Sequence, residues 1–105
     1  MKTDRELLEL AAKGAMISII VDGDDLLSEN GFWNPLAKDD DALRLAVKLG
    51  IQVIPGTYNP EEASAYRAGV CEAHEFVGFQ QDMAAATRRA IVRAAAEMGA
   101  RPSVA

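Results

Sequence analysis

Few residues in this chain have the chemistry for catalysis or metal binding. It has one cysteine and one histidine, Cys71 and His74, three positions apart. Val70 to Phe79 alternates as a strand does: Cys71, Ala73, Val77 and Phe79 fall on one face, and Glu72, His74 and Phe76 on the other. That alternation separates a Cys71 nucleophile from a His74 base. Glu72 and His74 do share a face, either as two metal ligands or as a solvated pair. A structural zinc site takes about four Cys or His ligands, and the chain lacks them. Asp22-Gly23-Asp24-Asp25 has the look of a calcium loop. An EF-hand needs glycine and glutamate where Leu27 and Trp33 stand, so a turn is the better reading. No glycine-rich phosphate loop is present, and Ser18, Ser28 and Ser64 lack a nucleophile-elbow context. The reading therefore assigns no catalytic residue, no metal ligand and no cofactor.

Two groups remain as candidate binding residues. Arg88, Arg89 and Arg93 share a C-terminal helical segment, with Arg67 as a possible neighbour. They form either a solvated helix face or a basic patch for phosphate or an acidic partner. Trp33 and Asn34 stand in a Trp-Asn-Pro corner ahead of a helix. A tryptophan there is either a core plug or an exposed recognition aromatic.

The elements that position these residues follow from spacing. Thr3-Asp4-Arg5-Glu6 has capping-box spacing and opens a helix from about 4 to 13, with Gly14 as its stop. Met16 to Val21 is rich in β-branched residues and reads as a buried strand, closed by Asp22-Gly23. Asn30-Gly31 is a type I′ hairpin dipeptide, with Leu26–Glu29 and Phe32-Trp33 as short flanking strands. One of Asp39, Asp40 and Asp41 then caps a helix, and the others complement its dipole. On that helix Ala42, Leu45, Ala46 and Leu49 form one stripe and Leu43 and Val47 a second, so burial on two sides is expected. Gly50 ends it, and Ile51 to Ile54 is a strand closed by Pro55-Gly56. Asn59-Pro60-Glu61-Glu62 reads as a helix start or as part of a long hairpin loop.

The segment from about Asp82 to Met98 is the clearest helix. Thr87, Ile91, Ala94, Ala95 and Met98 make its inward face, Arg88, Arg89 and Arg93 its outward one, and Arg93 can pair with Glu97. Gly99 and Pro102 end it. The order is helix, strand or hairpin, helix, two strands, helix. That order predicts an α+β fold, sandwich-like, with a small, largely antiparallel sheet packed with three helices.

One domain spans 1–105, with a disordered tail from about 101. Half of the 105 residues are hydrophobic, many of them alanine, which favours helices packed closely through small side chains. The net charge of −5 disfavours bulk nucleic acid and anionic membrane. A single cysteine precludes an intrachain disulfide and suits a reducing cytoplasm. No stretch reads as a signal peptide or a membrane span.

Three segments together resemble a known family. Trp33-Asn34-Pro35-Leu36 followed by Asp41-Ala42-Leu43-Arg44-Leu45-Ala46-Val47-Lys48-Leu49-Gly50 is similar to the central signature of the phage ABA sandwich domain, small phage and prophage proteins. Leu7 to Lys13 and Ala86 to Glu97 are similar to its opening and closing helices. The acidic run Lys38-Asp39-Asp40-Asp41 departs from the family, which often has a glycine there, and residues 54–70 match nothing in it. The resemblance implies an α/β/α-type sandwich of phage or prophage origin, and no activity, substrate or cofactor. The expectation is a non-enzymatic accessory protein in a bacterial cytoplasm. It would bind a host or phage protein, or itself as a homodimer, with a nucleic-acid role for the arginines as the alternative.

Overall fold

The computed structural model describes residues 2–56, 61–76 and 82–101. The elements are α1 (Asp4–Gly14), β1 (Ile20–Asp22), β2 (Asp25–Ser28), β3 (Gly31–Phe32), α2 (Asp39–Leu49), β4 (Gln52–Pro55), β5 (Glu62–Arg67), β6 (Cys71–Phe76) and α3 (Met83–Ala100). The α+β class and the order of elements are as the spacing predicts. The strands form two antiparallel sheets, β1-β2-β3 and β4-β5-β6, each a simple meander. Both readings of the segment after Gly56, a helix start or a long hairpin loop, yield at Glu62 to β5, whose Ala63 pairs with Pro55 and Glu75. Residues 57–60 and 77–81, on which the Asn59-Pro60 helix start and the Val77 and Phe79 positions fall, lie outside the described residues, as does the tail from 102.

The centre of the molecule is α3. Asp82 caps it by accepting from the Ala85 N–H at 2.6 Å. Ala86, Ala90, Ile91, Val92, Ala94, Ala95, Ala96 and Gly99 are all buried, so the helix is enclosed on more sides than its expected inward face. The β4-β5-β6 sheet meets it with Ala63, Ala65, Cys71 and Ala73, every one buried. Small side chains on both surfaces let helix and sheet approach closely. On another side α3 crosses α1 at two glycines. A Cβ on Gly99 would sit 1.8 Å from the Leu10 carbonyl oxygen, and one on Gly14 would sit 2.6 Å from that of Ala95. Gly99 is therefore a crossing point inside the helix rather than its end, and Gly14 owes its place to the same contact.

Both α1 and α2 end with the same device. The Ile17 N–H bonds the Ala12 carbonyl at 2.8 Å, and the Ile51 N–H bonds that of Ala46 at 2.9 Å. The device needs one left-handed residue. In α2 that is Gly50, at φ 66°, and in α1 it is Met16, at φ 57°. The start of the β-branched run thus serves to close a helix, and the expected buried strand shrinks to Ile20–Asp22, which is exposed throughout. In the next corner Gly31 takes a positive φ and Asn30 does not, so the hairpin forms without a type I′ turn.

The second helix is buried on one side only. Ala42, Leu45, Ala46 and Leu49 are buried, whereas Leu43 and Val47 are 64% and 73% exposed. Lys38 occupies its N-cap without a side-chain hydrogen bond, and the three aspartates form its first turn. They complement the dipole as expected but do not cap.

Candidate functional site

Trp33 is 7% exposed and joins the core, and Pro35 beside it is fully buried. The chain turns around Asn34. Its side-chain oxygen accepts from the Leu36 N–H at 3.1 Å, and its carbonyl accepts from the Lys38 N–H at 2.9 Å. Asp41, itself buried, accepts the Asn34 N–H at 2.9 Å. The corner before α2 is thus a closed set of local hydrogen bonds around a buried ring. Trp33 is a core plug, and Asn34 is a turn residue.

The three arginines do not form a free patch. Arg88 donates to Asp39 at 2.6 Å and to the Leu36 carbonyl at 2.9 Å. Arg89 pairs with Asp4 at 2.9 Å and Glu75 at 3.4 Å. Arg93 pairs with Glu75 at 2.6 Å and donates to the His74 carbonyl at 2.8 Å. These side chains tie α3 to the start of α2, to the start of α1 and to β6. The expected Arg93–Glu97 pair gives way to this arrangement. Glu97 lies 4.0 Å from Arg101 and accepts the Glu72 N–H at 3.3 Å. Arg67 lies elsewhere, donating to the Leu49 carbonyl at 3.4 Å. Sequence alone could not show this, because the carboxylates come from segments far away in the chain.

The histidine face is a real cluster. Ser64 pairs with His74 across β5 and β6, and Glu62 and Glu72 lie on the same outer face. His74 Nδ1 contacts Glu62, and Ser64 Oγ lies 3.0 Å from the same nitrogen. His74 Nε2 lies 3.3 Å from Glu72. Ser, His and Glu invite comparison with a catalytic triad. Carboxylates only accept, so engaging both nitrogens favours the imidazolium with both N–H groups present. The hydrogen bond with Glu62, first, and that with Glu72 accordingly raise His74 above its usual value. A protonated Nδ1 offers Ser64 no lone pair, and Ser64 Oγ turns to Glu62 at 3.4 Å instead. The two glutamates also meet opposite edges of the ring and do not converge on one metal point. Among the described residues no group of three potential ligands could hold a metal ion. Cys71, on the opposite face as expected, is buried, and burial pushes its thiol up, away from nucleophilic use.

What the structure leaves open is apolar surface. Ile20 pairs with Leu27, and Leu27 with Phe32, so these three share one face of the β1-β2-β3 sheet. Ile20 is 70% exposed and Phe32 59%. The opposite face supplies buried Leu26 and is followed by buried Trp33. Between this hairpin sheet and α2 runs a cleft of about 990 Å³, with Phe32 and Met16 on one side and Lys38, Arg44 and Lys48 on the other. Sequence reasoning missed the exposed ladder because it read the β-branched run as buried. The one available signal was the cluster of charges around it. No protein-family model, curated protein or solved structure matches the chain.

Proposed function

We propose that this chain is a non-enzymatic accessory protein of a phage or prophage that acts in the bacterial cytoplasm by binding another protein. The phage origin rests on the resemblance of the Trp33 corner and the flanking helices. The binding reading rests on one observation: the Ile20–Leu27–Phe32 ladder is apolar and contiguous, exposed at Ile20 and Phe32 and half-buried at Leu27. Arg88, Arg89, Arg93 and His74 are meanwhile paired within the fold, and Cys71 is buried. No helix among the described residues is long and apolar enough to cross a membrane. Affinity capture from the host tests the reading. A protein retained by the wild type is expected to be lost with Ile20→Ser/Phe32→Ser. Equal retention by that variant, or DNA binding with steep salt dependence that Arg88→Glu/Arg89→Glu removes, would overturn it.

A further inference from the structure

The charge of this protein is unevenly placed. Residues 15–37, which carry the hairpin sheet, contain four acids, Asp22, Asp24, Asp25 and Glu29, and no lysine or arginine. The rest of the chain holds twelve acids against eleven cations, so the hairpin carries most of the net −5. All four acids are exposed, and none takes part in an ion pair among the described residues. Arg5 reaches the β1–β2 turn, donating to the Gly23 carbonyl at 3.2 Å, but is paired with Glu9. Lys38, Arg44 and Lys48 line the cleft on the α2 side, where Asp40 and Asp41 pair with Arg44.

The Ile20 end of the ladder lies beside these acids, whereas Phe32 lines the cleft opposite Lys38, Arg44 and Lys48. Asp22 and Asp25 face each other at the end of the β1–β2 pair, and Glu29 stands in the β2–β3 turn. Apolar contacts would supply the contact area, and the acids would choose the occupant. We infer that the Ile20–Leu27–Phe32 face docks a lysine- or arginine-rich segment of a partner protein, with apolar side chains that cover the ladder. The inference rests on the protein-binding reading and adds the partner's chemistry. A second copy of the chain is disfavoured, because two such faces would bring eight unpaired carboxylates together. An anionic lipid surface is disfavoured for the same reason.

The experiment uses the full chain, labelled for NMR, and a synthetic amidated peptide alternating lysine and leucine. Its counterpart alternates glutamate and leucine. Binding of the lysine peptide is expected to shift the amides of Ile20, Leu27 and Phe32 and to weaken as salt rises. The glutamate peptide is expected not to bind. Ile20→Ser/Phe32→Ser, and separately Asp22→Asn/Asp24→Asn/Asp25→Asn/Glu29→Gln, should each lower the affinity by roughly tenfold or more. Both variants alter exposed positions, and their spectra report whether the fold is intact. No binding at low salt, shifts centred on α2 or on β4-β5-β6, equal binding of the glutamate peptide, or unchanged affinity in the charge-neutralised variant would overturn the inference. Self-association through Phe32 seen by sedimentation would do the same. Host capture separates the two readings. A partner lost with Ile20→Ser/Phe32→Ser but kept by the charge-neutralised variant removes the basic partner and leaves protein binding standing.

Discussion

The two sheets share a plan, three antiparallel strands in chain order, yet treat their apolar residues in opposite ways. In β4-β5-β6 the residues facing α3 are small, and they are buried: Ala63, Ala65, Cys71 and Ala73. In β1-β2-β3 the residues are larger and more apolar, yet Ile20, Val21 and Phe32 are largely exposed. Burial here follows from having a neighbouring layer, and side-chain hydrophobicity does not substitute for one. An alanine-lined sheet can take a helix against it at close range, whereas the hairpin sheet attaches mainly through Leu26 and Trp33. The sheet sealed by a helix is the structural one. Both sheets keep one face open: that of β4-β5-β6 carries the His74 cluster and Phe76, and that of the hairpin sheet carries the Ile20–Leu27–Phe32 ladder.

The contrast can be broken hardest at Gly99. The layer that seals β4-β5-β6 depends on α3 reaching α1, and Gly99→Ala would drive a Cβ into the Leu10 carbonyl. A loss of about 3 kcal/mol or more is expected by urea denaturation. Glu75→Ala comes next, because it removes the carboxylate shared by Arg89 and Arg93 at the joint of β6 and α3. We expect about 1–3 kcal/mol, read from the denaturation midpoint. At the entry to the hairpin sheet the sign reverses. Met16→Gly relieves a left-handed residue and should raise stability by up to about 1 kcal/mol, seen as a higher melting temperature. On the hairpin face itself, Phe32→Ser should change stability by no more than about 0.5 kcal/mol. A larger loss would mean that the hairpin face is structural after all.

The smallest effect lies on the open face of β4-β5-β6. Glu62 and Glu72 raise His74 above its unfolded value of about 6.5. The stability contributed by the imidazolium is fully present below that unfolded value. It is lost as pH rises through the raised folded value. His74 is half exposed, so the change should be slight and weaker at high salt. His74→Gln should flatten the dependence in melting curves recorded across that range.

Much of the architecture is legible from local signals. The capping box at Thr3 forms, with Glu6 donating its N–H at 3.1 Å and its carboxylate receiving the Thr3 N–H at 3.4 Å. Gly50 ends α2 in the left-handed region, and Cys71 and His74 point to opposite faces. Each of these depends on residues within a turn or a strand of one another. The candidate sites were legible only as residue types. Arg88, Arg89 and Arg93 look like a basic patch until α1, α2 and β6 bring Asp4, Asp39 and Glu75 to them. Leu43 and Val47 look buried until α2 is found to have a neighbour on one side alone.

The sequence by itself determined the α+β class, the order of helices, the caps at Thr3 and Gly50 and the strand alternation of β6, because capping and side-chain periodicity act over a few residues. It also placed the excess negative charge in the hairpin, since charge is additive along the chain. Only the tertiary structure decided which apolar residues are covered and which charges are paired. Burial and ion pairing depend on what another segment brings within a few ångströms, and local spacing carries no record of that.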